Sequence, residues 1–247
     1  MKRLVLGDLH GHIDKYHLAY DHVQPDEVVC LGDYLDSFDV SLKKQEEAAK
    51  EVVEMKMRHK NPESFKILLG NHDFHYLYGW PSIERYSGFS QKTLSWACKW
   101  LNGLVRSKAI SLAYIDYKNK IIYSHAGVSM TWLNDWSMEI YDINSKLDTS
   151  RAMCELKFTY GDDGGDSYGT SKHSSCIWIR PKALVGDMYR DQDGVVWEQV
   201  VGHTETQRVE SHCSGKLWLC DSVQHNQFLV QTLDDTGLLL SEDVIEL

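Results

Sequence analysis

Short apolar runs alternate along this chain with longer amphipathic stretches. Arg3 to Leu6, Glu27 to Leu31, Phe65 to Leu69, Ile121 to Tyr123 and Val195 to Val201 are such runs. Each stops at a glycine or at Ser124-His125. Brief apolar runs cut off this way predict buried strands. Between them, Ser41 to His59 puts Ala49, Val52 and Val53 on one face, with Pro62 just beyond. Ser90 to Arg106 spaces Leu94, Ala97, Cys98, Leu101, Leu104 and Val105 as one helical stripe. Alternating strand and helix in the first half predicts a largely parallel sheet covered by helices. The second half reads differently. Ala109 to Tyr123 has a hairpin pattern turning near Lys118-Asn119, and Val209 to Cys220 another turning at Ser214-Gly215. Phe228 to Leu233 and Leu238 to Leu240 add further strands, so a second, mostly antiparallel sheet is expected. Thr159 to Ser175 is rich in Gly, Asp, Ser and Tyr without any period, and reads as a loop that could lie over a site.

With 247 residues, 43% of them hydrophobic, the chain can bury a sizeable core, and one domain over 1–247 is expected. The six cysteines form no C-x-x-C pair, and Cys30 and Cys98 fall at apolar positions. Reduced cysteines and a cytoplasmic location follow. Leu4-Val5-Leu6 after Met1-Lys2-Arg3 is far too short for a signal peptide or a membrane span. No membrane partner is expected. The net charge of -10 disfavours nucleic acid as a partner and would repel a phosphorylated substrate, unless bound cations reverse the sign locally.

The residues that close the apolar runs supply such a device. They are Gly7-Asp8-Leu9-His10-Gly11, Gly32-Asp33-Tyr34-Leu35-Asp36, Gly70-Asn71-His72-Asp73, Ser124-His125-Ala126-Gly127 and Gly202-His203-Thr204. Loops beyond the carboxyl ends of parallel strands converge in space. Asp8 and His10, one residue apart, can face one ion together. Asp33 has two oxygens and can bridge two ions. Asn71 offers a carbonyl oxygen, and His125 and His203 offer imidazole nitrogens. Such a set without thiolate suits two divalent ions, manganese first, with iron, zinc or magnesium as alternatives. Two such ions against two carboxylates and a hydroxide leave about +1 at the site. His72 lies beside the ligands without having to be one, and can protonate a leaving-group oxygen. Asp36 is the candidate to fix its tautomer. Taken singly, Gly-Asp is an ordinary turn and one histidine an ordinary structural residue. Their joint occurrence at strand ends carries the metal reading. His12 is close enough to support the site, while His59, His75, His173, His212 and His225 receive no role. The Asp162-Asp163-Asp166 group lacks the spacing of a calcium loop and reads as solvated.

Together, GDLHG, GDYLD, GNHD, SHAG and GHT resemble the signatures of the calcineurin-like metallophosphoesterase superfamily. They are most similar to its bacterial and phage phosphoprotein-phosphatase branch, which includes symmetrical diadenosine tetraphosphate hydrolases. The resemblance implies an α/β fold, a four-layer α-β-β-α sandwich with two mixed sheets. It implies one metal on Asp8, His10 and Asp33, and a second on Asp33, Asn71, His125 and His203. His72 would be the general acid, oriented by Asp36, and a hydroxide bridging the metals would attack phosphorus in line. The chain departs from the pattern at Ser37-Phe38, where that branch carries the Arg-Gly whose arginine grips phosphate. Arg180, in Trp178-Ile179-Arg180-Pro181, could serve instead or could be a structural surface arginine. Asp73 stands where the Ser/Thr phosphatases carry Glu, and Glu205 where many members carry a second His. A phosphatase acting on a phosphoprotein, nucleotide or small phosphoester is therefore expected. The alternatives are a dinucleoside polyphosphate hydrolase, a nucleic-acid phosphatase and a non-catalytic interaction scaffold.

Overall fold

The computed structural model describes residues 1–77, 88–148 and 169–247. Strands β1 (Lys2–Leu6), β2 (Glu27–Cys30) and β3 (Phe65–Leu68) run parallel to one another, and β4 (Ile110–Ser111) continues the series. Helices α1 (Ile13–Val23), α2 (Leu42–Arg58) and α4 (Gln91–Arg106) lie between them in sequence, with a short α3 (Asn71–Leu77) directly after β3. Even-numbered side chains Leu4, Leu6, Val28 and Cys30 pack with Tyr16, Ala48, Val52, Ala97 and Leu101 of these helices. Their odd-numbered neighbours Val5 and Val29 pack with Ile121, Tyr123 and Val200 of the second sheet. Both faces of the strands are thus covered, which is why the runs read as continuously apolar rather than alternating.

The second sheet holds β5 (Ala113–Asp116), β6 (Ile121–Ser124), β7 (Glu198–Val201), β8 (Glu210–His212) and β9 (Leu217–Leu219), in the order β5-β6-β7-β9-β8. Its outer face packs against Ala183 and Leu184 of a short helix, α6 (Pro181–Leu184), which follows α5 (Met130–Asp135) in the chain. Helices, two facing sheets and a further helical layer give the α/β sandwich that the motifs implied.

Three strand expectations need correction. The second sheet is mixed: β6, β7 and β9 are mutually parallel, and only its outer pairs are antiparallel hairpins. The first hairpin is shorter than Ala109 to Tyr123, because Ile110–Ser111 pairs with β3 instead. The last two strands, β10 (Gln227–Leu233) and β11 (Leu239–Glu246), join the first sheet, where β10 runs antiparallel to β1 and pairs Leu4 with Val230. β11 extends well past Leu240. Both sheets are therefore mixed. Hydrophobic pattern locates a strand, but says little about which of two sheets receives it.

Cys30, Cys176 and Cys220 are buried, Cys98 is half-buried and Cys213 is exposed, all as free thiols. Cys154, the Asp162-Asp163-Asp166 group and residues 159–168 of the expected loop lie outside the described residues, whereas 169–175 form bends and turns. Among the described residues no helix is long and apolar enough to cross a membrane.

Candidate metal and acid–base site

Five parallel strands, β1, β2 and β3 of the first sheet and β6 and β7 of the second, end at the five signatures, which gather together. Asp8 follows β1, Asp33 follows β2, Asn71 opens α3 after β3, His125 follows β6 and His203 follows β7. Peptide groups of one signature hold the next. The carbonyl of Asp33 accepts from Leu9 N at 3.1 Å and His10 N at 2.8 Å. Asp33 Oδ1 accepts from His72 N at 2.9 Å, and both Asp8 oxygens accept from His203 N at 3.1 Å. Glycine permits this approach. A Cβ on Gly70 would fall 2.0 Å from Asp33 Oδ1, and one on Gly202 would fall 2.2 Å from Asp8 Oδ1. His10, Asp33, Asp36 and His203 take φ values of 42°, 52°, 65° and 62°. Side chains seldom adopt that left-handed region, and such strain gathers where the surrounding structure must hold a side chain in place.

Each of the three imidazoles is pinned by a backbone carbonyl. His10 Nδ1 donates to Leu35 O at 2.8 Å, His125 Nδ1 to Leu31 O at 2.9 Å and His203 Nε2 to Trp178 O at 3.0 Å. A carbonyl only accepts, so a proton sits on that nitrogen, and in the neutral imidazole the other carries a lone pair. Burial lowers the pKa of His10 and of His203 and favours these neutral forms. The remaining nitrogens point at oxygens. His125 Nε2 lies 2.7 Å from Asn71 Oδ1 and 3.4 Å from Asp33 Oδ2. His203 Nδ1 is 2.9 Å from Asn71 Oδ1, and His10 Nε2 is 3.8 Å from Asp33 Oδ2. Lone pairs thus face lone pairs. Turning the Asn71 amide over would satisfy two nitrogens, but would do nothing for the carboxylates around it.

Four of those carboxylates, on Asp8, Asp33, Asp73 and Asp221, are buried together. Burial, with Asp221 and Asp33 nearby, holds the Asp8 pKa well above the usual range. Burial and Asp33 push Asp73 and Asp221 up to about 7. Asp33 moves the other way: burial opposes its ionisation, but positive charge on the surrounding imidazoles, when they carry it, outweighs that cost. Acceptor lone pairs converging in a buried acidic pocket are what a divalent cation satisfies. Asp8, Asp33 and His125 form one candidate ligand group, with His10, Asn71 and His203 against it; Asp36, His72 and His75 form a second.

His72 Nδ1 donates to Asp36 Oδ2 at 3.1 Å. Burial opposes the charged imidazole, but Asp33 and Asp36 outweigh it and raise the pKa to about 9. The bond to Asp36 places a proton on Nδ1 and leaves Nε2 facing outward. The expected partner is in place, but it has company. His75 Nε2 donates to the same Asp36 oxygen at 2.6 Å, and Tyr76 Oη to the other at 2.5 Å. Neither residue was expected here. Their sequence signal is spacing: His72 and His75 sit three apart on α3 and so share a face.

Asp73 accepts from Tyr34 N at 3.0 Å and Gly70 N at 3.1 Å, which ties the second signature to the third. Asp221 was also missed, although it follows the apolar run Leu217 to Cys220 as the ligands follow theirs. Arg180 is not a free surface group: Nη1 donates to His203 O at 2.7 Å and Thr204 Oγ1 at 3.0 Å, beside the imidazoles. Ser37 turns instead onto Asp39, with Oγ donating to Oδ1 at 2.6 Å, and His12 Nε2 meets that same oxygen at 3.1 Å. His12 thus serves the exposed loop after Asp36. Glu205 is exposed, 3.9 Å from His225.

The profile of the calcineurin-like phosphoesterase family matches residues 1–231, and the chain belongs to that family. It is a phosphoric ester hydrolase of a divalent-metal-dependent class. No curated protein sequence matches it. Among solved structures, a protein serine/threonine phosphatase from Saccharomyces cerevisiae is 17% identical at a TM-score of 0.58, with 100% of this chain and 80% of that chain covered. The cold-active protein-tyrosine phosphatase of a psychrophilic Shewanella species is 16% identical at a TM-score of 0.56, covering 99% and 80%. At such identities the likeness shows the fold alone.

Proposed function

We propose that this chain hydrolyses phosphate esters at a dinuclear centre. Asp8, His10 and Asp33 would hold one divalent ion, and Asp33, Asn71, His125 and His203 would hold the other. The observation that carries the reading is the meeting of three carbonyl-pinned imidazoles with the Asn71 and Asp33 oxygens inside a buried acidic pocket. When bound, the two ions supply positive charge to the phosphate oxygens and an activated water for attack on phosphorus. Carboxylate, amide and imidazole donors without thiolate suit manganese. His72 gives its Nε2 proton to the departing oxygen, while Nδ1 stays on Asp36. Arg180, anchored on the His203 carbonyl, lends its guanidinium to a phosphate oxygen in place of the arginine missing at Ser37.

The test is a panel on Mn²⁺-loaded protein: 4-nitrophenyl phosphate, phosphoserine and phosphotyrosine peptides, and dinucleoside polyphosphates. Metal-dependent release of phosphate from a monoester, abolished by chelation, is the expected result. Hydrolysis of the polyphosphates alone would move the substrate to that class. Two bound ions with no hydrolysis of any ester would leave an interaction scaffold.

A further inference from the structure

Asp36 is held from three directions by one short helix and the segment behind it. His72, His75 and Tyr76 all lie on α3. Oδ2 accepts from His72 Nδ1 at 3.1 Å and from His75 Nε2 at 2.6 Å, and Oδ1 accepts from Tyr76 Oη at 2.5 Å. Tyr76 is set in turn by Ser90 N, which donates to its hydroxyl at 2.8 Å, and by the Phe89 ring stacked on it with centroids 5.1 Å apart. Gly88 closes the other side, where a Cβ would fall 2.8 Å from Asp36 Cβ. The two histidines differ in surroundings. The His75 side chain is 1% exposed and the His72 side chain 18% exposed. Only His72 can meet a substrate, and the shorter bond to Asp36 belongs to the buried partner.

We propose that His75 is a positioning residue for the acid step: by fixing Oδ2 of Asp36 it sets the orientation from which His72 delivers its proton. This rests on the reading of His72 as the proton donor. A carboxylate with only the His72 bond and the Tyr76 bond could turn about its Cα–Cβ and Cβ–Cγ bonds. His72 would then lose its fixed direction although every metal ligand stayed in place. A geometric loss of this kind is felt where a proton must be delivered, and little where the leaving group departs without one.

The experiment compares kcat for phenyl phosphate, whose leaving group needs a proton, with kcat for 4-nitrophenyl phosphate, whose leaving group hardly does. The protein is Mn²⁺-loaded, and its metal content and melting temperature are measured alongside. His75→Leu should lower kcat on phenyl phosphate by about 10- to 100-fold, the usual size of effect for a partner that orients an active group, with 4-nitrophenyl phosphate reduced much less. His75→Gln, whose amide nitrogen can reach the place of Nε2, should restore most of the difference. His75→Asn keeps a polar side chain but reaches too short; it should behave like Leu, and replaces it should Leu fail to fold. Equal losses on both substrates, or no loss, overturn the proposal. His72→Ala run in parallel separates the two readings. No preference between leaving groups there means that His72 is not the acid. A preference there but not in the His75 variants rejects the role of His75 alone.

Discussion

Two groups of carboxylates and imidazoles stand side by side in this molecule, with the His10 and His72 rings 5.3 Å apart. They use the same residue types and are finished differently. Around Asp33 and Asn71, each imidazole has spent its proton on a backbone carbonyl and turns a lone pair toward oxygen. Around Asp36, every acceptor oxygen already has a donor: two imidazole N–H groups and a phenol. On the proposed reading, the first group is incomplete without a cation, and the second is complete with its protons. Residue type alone therefore does not separate a metal ligand from a proton carrier. What differs between them here is the state of the acceptor oxygens: those of Asp36 already have donors, whereas Asn71 Oδ1 faces two ring nitrogens of carbonyl-bound imidazoles.

Three substitutions probe that contrast, in descending order of effect. Asp33→Asn strikes the residue assigned to both ions. Activity should fall by at least about 10²- to 10³-fold, as when a preorganised charge is removed, and occupancy of both ions should drop in elemental analysis. Two ions still bound would refute the shared-ligand assignment. His72→Ala strikes the other group, and should cost about 10²- to 10³-fold in kcat while leaving metal content near that of the parent. Metal loss in that variant would mean that the two groups are not distinct. Arg180→Ala touches neither group directly. A charge-assisted bond of roughly 1.5–3 kcal/mol to phosphate corresponds to about a 10- to 150-fold rise in KM with bound metal unchanged. An unaltered KM would reduce Arg180 to a brace for the His203 carbonyl.

The ligand candidates were legible in the sequence because each sits just past an apolar run, where a parallel strand must end. Asp8, His10, Asp33, Asn71, His125 and His203 all come together in space, although they span Asp8 to His203. The partners of Asp36 were harder to see. His75 and Tyr76 sit inside a helix, where a polar residue reads as an ordinary solvated or capping group. Only their spacing from His72 could have flagged them. Asp221 lacked the preceding glycine that marked four of the other five strand ends. Sheet membership was the least legible feature. β10 is as apolar as the strands of the second sheet, and its place beside β1, with β11 beyond it, depends on a pairing across most of the chain. The left-handed backbone at His10, Asp33, Asp36 and His203 left no trace either, since none of the four is glycine.

The strand that delivers Asp8 is made well before one of its neighbours, β10, which pairs Lys2 with Thr232. Until Gln227–Leu233 has been synthesised, β1 keeps an open edge of unpaired peptide groups beside Leu4, Val5 and Leu6, an edge prone to association with other chains. A nascent chain stopped short of β10 can pair β1 with β2 and β3, but Asp8 then hangs from a half-covered strand. The strand pair that carries Asp8 thus joins residues from nearly opposite ends of the described chain, and it is complete only once Gln227–Leu233 has been made.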